Sequence, residues 1–377
     1  MKIAVLGAGM VGRTIATDHL SHNFDVTSFD RDENNLAVLS AKTNVECKIA
    51  DLTLYENYTK LLEGFDLIVC AVPGFMGYKT LEAVINAGKN VADISFFPED
   101  GLQLDALAKQ KNVTAIIDCG VAPGMSNLIL GYHNALMKID SFECMVGGLP
   151  KKRVKPFEYK APFSPIDVIE EYTRPARYVE NGFVVTKSAL SDAELINFEH
   201  VGTLESFNTD GLRSILFTMN HIPDMKEKTL RYPGHISLIQ SMMQAGFFNE
   251  EEIMVHGKSV RPIEVTSAIL FEQWKPEVDG EEFTIMKIVI KGTENNLPKT
   301  VEYLLYDEFD AATQTPSMSR TTGYACNAFA NLIAGNIFTE KGVFPPELVG
   351  KDEGCFKFVM EYLMERGVKY ETAAPAP

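Results

Sequence analysis

A single tryptophan, no Cys-x-x-Cys pair and no apolar run approaching the roughly 18–20 residues of a membrane helix set the first limits on this sequence. Its six cysteines, at positions 47, 70, 119, 144, 326 and 355, stand apart, and four lie inside apolar stretches. That pattern reads as buried free thiols and excludes a disulfide framework or a zinc site. No histidines and carboxylates gather at metal-ligand spacing, so no metal is expected. Positive charge is also scarce: 35 Lys and Arg face 51 Asp and Glu, a formal net charge of −16. A phosphate backbone needs a cationic surface, so nucleic acid is excluded as a partner. A negative field keeps a protein soluble and also steers cationic small molecules. Met1 runs directly into a strand pattern in place of a basic and then apolar leader, and the expectation is a soluble, cytoplasmic protein with no membrane partner.

What is present is enough apolar material for two cores: 377 residues, 46% hydrophobic. Up to about Asn127, short apolar runs alternate with amphipathic segments, the pattern of a parallel sheet flanked by helices. Strands are predicted at 2–7, 25–30, 45–50, 67–72, 90–95 and 114–119, six in all and sufficient for a complete doubly wound sheet, with a helix over 78–88. Beyond residue 140 the segments become longer and β-rich. Asn181-Gly182 marks a hairpin, strands are predicted at 283–292 and 299–308, and Ser164-Pro165 and His235–Phe248 supply helices. Two more helical patterns, 321–334 and 353–366, precede a short Ala/Pro tail expected to be disordered. The expected fold class is α/β, a Rossmann domain over 1–122 completed by C-terminal helices within 320–370, with an α+β domain over 123–319.

The N-terminal G-A-G-M-V-G sets Gly7, Gly9 and Gly12 in G-x-G-x-x-G spacing between a strand and a helix. There the backbone admits a pyrophosphate and the helix offers unpaired amides, so Gly7, Ala8, Gly9, Met10, Val11 and Gly12 are candidate dinucleotide contacts. Asp30 ends the second strand, where a carboxylate takes the adenosine ribose hydroxyls and repels a 2′-phosphate. NAD is therefore expected, with NADP possible through the adjacent Arg31. Asp51 and Leu52 follow the third strand and suit the adenine; Ala71, Val72 and Pro73 follow the fourth and suit the nicotinamide ribose.

Five further segments, D-C-G-V-A-P-G-M-S-N (118–127), V-G-G-L-P (146–150), G-T-L-E-S-F-N-T-D-G (202–211), T-L-R-Y-P-G-H (229–235) and K-G-V-F-P-P-E (341–347), resemble the saccharopine dehydrogenase superfamily. Within it the chain looks most like the lysine 6-dehydrogenases. The resemblance covers nearly the whole chain. It implies a middle domain that binds an amino-acid substrate and forms a homodimer, and oxidation of an amine-bearing carbon by NAD. In lysine 6-dehydrogenases the ε-carbon gives up hydride and the imine is hydrolysed to the semialdehyde and ammonia. Relatives that form or split saccharopine typically carry Asp before this Pro-Gly; Ala122 stands there instead, as in lysine 6-dehydrogenases. The alternatives are a saccharopine dehydrogenase, a secondary-amine reductase of the carboxynorspermidine type, and a catalytically silent NAD-binding protein.

Oxidising an amine needs a hydride acceptor, a base, a route for water and anchors for the amino acid. Asp118, at the end of the sixth strand, and Asp93, one strand earlier, are candidate bases, although either serves equally as a cap or ion pair. His235 has a side chain suited to proton transfer near neutrality. Arg231 is the first choice for a substrate carboxylate, with Arg213 and Arg174 behind it. Thr209 and Asp210 are candidates for the ammonium groups, and Gly120 and Val121 for the border of the nicotinamide. Cys119 reads as a packed side chain.

Overall fold

A computed structural model describes residues 1–276 and 280–372. The Ala/Pro tail lies outside the described residues. Two large sheets carry the fold, one parallel and one mixed. The first comprises β1 (Lys2–Leu6), β2 (Asp25–Asp30), β3 (Glu46–Ile49), β4 (Leu67–Cys70), β5 (Asn90–Asp93) and β6 (Thr114–Ile116). Its central strands read K-I-A-V-L and L-I-V-C, buried on both faces as a helix-covered parallel sheet requires.

Six strands do not complete it. A seventh, β17 (Gly342–Phe344), pairs in parallel with β6, giving the order β17-β6-β5-β4-β1-β2-β3. Only three residues long and far along the chain, it escapes a periodicity search. Its sequence, inside K-G-V-F-P-P-E, is one of the segments that carried the family likeness. The helix Ser317–Ala334 packs on the helix Met10–Ser21 and on β4 and β5. Asn327 Nδ2 donates to Ile15 O at 3.1 Å and to Asp18 Oδ2 at 2.8 Å, and the Tyr362 hydroxyl donates to the same carboxylate at 2.7 Å.

The second sheet is built on β7 (Lys138–Pro150), β15 (Glu282–Glu294) and β16 (Leu297–Glu308). β8 (Ala176–Glu180) and β9 (Phe183–Lys187) form the Asn181-Gly182 hairpin; β10 (Glu194–Phe198), β11 (Gly202–Asn208) and β12 (Asp224–Arg231) extend the sheet, and β18 (Tyr370–Thr372) closes the other edge. β12 and β7 run parallel while the other pairs are antiparallel. β15 and β16 exceed their expected bounds because Asn295 and Asn296, at φ of 52° and 64°, form a two-residue left-handed turn on which the strands close directly. A small hairpin, β13 (Ile253–Val255) with β14 (Lys258–Val260), stands apart.

Between the sheets runs the helix Met125–Leu136, which packs on the short helix Pro346–Gly350. A Cβ on Gly131 would stand 2.1 Å from Glu347 O, so the helices meet at backbone distance. Glu347 is buried there, with Asn127 Nδ2 and the Thr218 hydroxyl donating to its carboxylate at 3.1 and 2.6 Å. Gly131→Ala should therefore overpack this contact and lower stability by about 1–3 kcal/mol, read as a lower urea midpoint with an unchanged slope.

Candidate active site

The carboxyl ends of the parallel strands face the mixed sheet across a cleft of about 650 Å³. On the first wall, a Cβ on Gly7 would stand 2.4 Å from Ala71 O, and one on Gly12 would stand 2.0 Å from Gly7 O. These glycines let the turn fold onto its own sheet. Gly9 differs: nothing lies within 4 Å of its missing Cβ, it borders the cleft, and no side chain caps the helix that follows. Open space beside uncapped amides fits a pyrophosphate. Met10, Val11, Asp30, Arg31, Asp51, Leu52, Ala71, Val72, Pro73, Gly120 and Val121 border the same cleft. Ala8 does not. Its N–H donates to Asp30 Oδ2 at 2.7 Å, tying the turn to β2 and leaving no free amide for a cofactor.

The crossing segment after β6 puts Asp118 at a φ of 54° on the border of the cleft. Arg213 Nε donates to Asp118 Oδ1 at 2.9 Å, and Arg213 also donates to Phe97 O while lying over the rings of Phe96 and Phe97. Arg213 is buried behind the wall, so it holds Asp118 and is not the expected substrate anchor. Asp93 is also a correction. It is fully buried and off the cleft, and its Oδ1 accepts Ser95 N–H at 2.5 Å. Burial raises its pKa to about 7, but it touches no space that a substrate enters.

His235 is the third correction. It is buried away from the cleft, where Nδ1 lies 2.9 Å from Phe157 O and Nε2 lies 2.9 Å from the Tyr172 hydroxyl. A carbonyl only accepts, so Nδ1 carries the proton and Nε2 accepts from Tyr172. The Tyr172 oxygen in turn accepts Arg231 Nε–H at 3.1 Å. Burial, helped by Arg231, depresses the His235 pKa to about 3, so the imidazole stays neutral and orients Arg231.

Arg231 borders the cleft, but its fork is engaged: Nη2 donates to Glu171 Oε2 at 2.8 Å, Nη1 donates to Leu230 O at 3.0 Å, and the guanidinium lies 4.3 Å from the centre of the Tyr159 ring. The expected bidentate grip on a substrate carboxylate is thus already given to Glu171. Asp210 is likewise committed, accepting Arg177 Nε and Nη2 at 2.8 and 2.9 Å. Thr209 borders the cleft with its hydroxyl 3.0 Å from that of Thr229. Arg174, a partly exposed cleft residue, pairs with Glu170.

Two groups of cleft residues go beyond the sequence reading. The helix Pro165–Thr173 and the residue after it present Asp167, Glu170, Glu171 and Arg174, spaced i, i+3, i+4 and i+7 along one face. That charged stripe was legible, though only Arg174 was singled out. On β12, Glu227, Thr229 and Arg231 alternate toward the cleft, a period-2 signal of which only Arg231 was read. Glu227 is 6% exposed and lies flat against Gly211, whose Cβ would stand 1.7 Å from Glu227 Oε1. Asp167 is 7% exposed with Oδ1 unpartnered among the described residues. Burial first, then Glu171 and Asp210, raise the Glu227 pKa to about 8; burial and Glu170 raise that of Asp167 to about 7.

A glycine turn opening a parallel sheet toward a charged second wall defines a two-domain dinucleotide-binding protein of the Rossmann class. Residues 3–116 match the family model described as saccharopine dehydrogenase NADP binding domain, and residues 120–368 match that of the saccharopine dehydrogenase C-terminal domain. The chain belongs to the saccharopine dehydrogenase family. It is 25% identical over 268 residues to the mouse alpha-aminoadipic semialdehyde synthase, mitochondrial, an alignment covering 66% of this chain and 29% of that protein. It is 23% identical over 317 residues to the Pyricularia oryzae saccharopine dehydrogenase [NADP(+), L-glutamate-forming], covering 78% and 68%. The chain thus spans under a third of the mouse protein and about two thirds of the fungal one. The solved apo saccharopine dehydrogenase (L-Glu forming) of Saccharomyces cerevisiae shares the fold, with a TM-score of 0.79 at 18% identity over 99% of this chain and 100% of that one. The matched domain is an NADP-binding one, so the comparisons support the dinucleotide class and not the preference for NAD.

The buried imidazole gives a direct test of the positioning role of His235. Its pKa is depressed on folding from 6.5, so the stability it confers is full above that value and declines as pH falls toward 3. His235→Phe should cost about 1–3 kcal/mol at pH 7 by leaving Tyr172 and Phe157 unpaired. Urea unfolding should show a smaller gap between variant and parent at pH 5, because only the parent must expel a proton to fold there.

Proposed function

We propose that this protein is an NAD(P)-dependent oxidoreductase acting on a carbon–nitrogen bond of an amino acid, with L-lysine oxidised at its ε-carbon to the 6-semialdehyde and ammonia. One observation carries the reading: the charge balance of the cleft. Arg174 and Arg231 are each met by a carboxylate, Glu170 and Glu171, whereas Glu227 and Asp167 border the cleft with no ion-pair partner among the described residues. Such a wall favours a ligand with more ammonium than carboxylate groups, since a buried acid is stabilised by a positive partner. Lysine has two ammonium groups and one carboxylate. Ala122, which borders the cleft, adds no further charge, and Arg174, whose pair with Glu170 is partly exposed and so exchanges more readily than the buried Arg231–Glu171 pair, is the arginine assigned to the one carboxylate.

A bound dinucleotide accepts the hydride. The residues set to hold it are those of the glycine turn, Asp30, and the loops after β3, β4 and β6. Among the described residues no ion pair neutralises Asp30, which supports NAD; Arg31 beside it offers the charge for a 2′-phosphate, in line with the family's NADP-binding domain. Saccharopine is the second reading, supported by the names of the relatives. With three carboxylates it fits the acidic wall less well. The homodimer is supported by apolar side chains exposed on the β13–β14 hairpin and the helix after it, Ile253, Met254, Val255, Val265 and Ile269.

The wild-type protein with L-lysine should reduce NAD, seen as absorbance of the reduced nicotinamide, faster than NADP, and faster than either is reduced with saccharopine. Asp30→Ala should shift the ratio of kcat/KM values toward NADP. Reduction that requires saccharopine, or NADP in preference to NAD, would overturn the corresponding part of the proposal.

A further inference from the structure

The reaction needs a group that takes a proton from the substrate nitrogen, and the acids and imidazole first suited to this are engaged or remote. Asp118 is held by Arg213, Asp93 lies beneath the wall and His235 lies behind Tyr172. Glu227 has the opposite setting. It borders the cleft between Thr209 and Thr229, and its carboxyl has no hydrogen-bond donor among the described residues. Gly211 is the reason it fits: any side chain at 211 would occupy the place of the carboxyl, so the N-T-D-G turn and β12 together make a slot for it.

We propose that Glu227 is the acid–base residue of the reaction, taking the proton from the substrate ammonium and then activating the water that hydrolyses the imine. This rests on the amine-oxidising reading above. The Glu227 carboxylate removes one proton from the substrate's –NH3+ group. The nitrogen lone pair then forms the C=N bond as the carbon's hydride passes to the dinucleotide. Glu227 releases its proton to solvent and takes another from a water whose oxygen adds to the C=N carbon, giving a carbinolamine. Returned to nitrogen, that proton makes ammonia the leaving group as the C–N bond breaks; Glu227 takes the hydroxyl proton as the C=O bond forms and passes it to the departing ammonia, and the aldehyde remains. The sum is amine, oxidised dinucleotide and water to aldehyde, ammonium, reduced dinucleotide and one proton.

The charged and titratable neighbours are Glu171 on the helix Pro165–Thr173, Asp210 and Arg213 after β11, Asp118 after β6, Cys144 on β7 and Arg231 on the same strand. The carboxylates among them and burial favour the protonated acid, and an arriving ammonium opposes that preference. Turnover should therefore rise with pH along a limb that belongs to Glu227.

The test is Glu227→Gln and Glu227→Asp in the full chain, assayed against L-lysine and saccharopine with NAD and NADP, alongside reduced-dinucleotide binding by fluorescence and near-ultraviolet circular dichroism. The expected result is a fall in kcat of about 100- to 10,000-fold in Glu227→Gln, loss of the acid limb of the pH profile, unchanged dinucleotide affinity and partial recovery in Glu227→Asp. An active parent whose Glu227→Gln variant keeps its kcat and pH profile overturns the role of Glu227 and leaves the proposed function standing. A parent inactive with both amines and both cofactors overturns the two together.

Discussion

The molecule depends on one close approach of backbone to backbone. At Gly124 a Cβ would stand 1.8 Å from Gly120 O, so the chain leaving β6 doubles tightly on itself before starting the helix Met125–Leu136. Only glycine permits that approach, and its φ of 141° belongs to glycine as well. The turn sets where the second sheet begins relative to the ends of the parallel strands. It also presents Asp118, Gly120 and Val121 to the cleft and leaves Cys119 packed in the core.

The charges in the cleft follow a simple electrostatic rule. A buried ion is destabilising unless a partner of opposite sign lies beside it, and most ions here have one: Asp118 with Arg213, Asp210 with Arg177, Glu171 with Arg231. Each pair fixes a side chain and removes it from the set available to a ligand. Chemistry is left to the residues outside the pairs. The protein is acidic as a whole, but the local imbalance at Glu227 and Asp167 says more about a ligand than the net charge does.

Much of this was legible in the sequence. The glycine spacing and Asp30 located the first wall because backbone access to a phosphate imposes a fixed pattern, and the Asn-Gly hairpin followed from left-handed turn geometry. Asp118 was read at the cleft, where it stands. What the sequence did not disclose were the pairings. Arg213 and Asp118 are 95 residues apart, and nothing local in either segment reveals that they meet. His235 looked like a proton carrier because its residue type suits that work; only the carbonyl of Phe157 and the hydroxyl of Tyr172 show that both its nitrogens are committed. Glu227 stands between two lysines in D-M-K-E-K-T-L-R, where nothing local marks it as buried; the turn at Gly211 is what folds over it.

The late strand β17 and the helix Ser317–Ala334 have a consequence for how the chain acquires its shape. The nucleotide-binding sheet opens with β1 to β6 and is finished by β17, more than two hundred positions after β6 and after all of the mixed sheet except its edge strand β18. Until then Asp18 is an acid awaiting Asn327, Tyr362 and Arg366 on a helix face that has nothing to cover it. The nucleotide-binding sheet is therefore complete only with the later segments in place. The early strands stay open on one side until the later segments pack on them, so the assembled cleft belongs to both together.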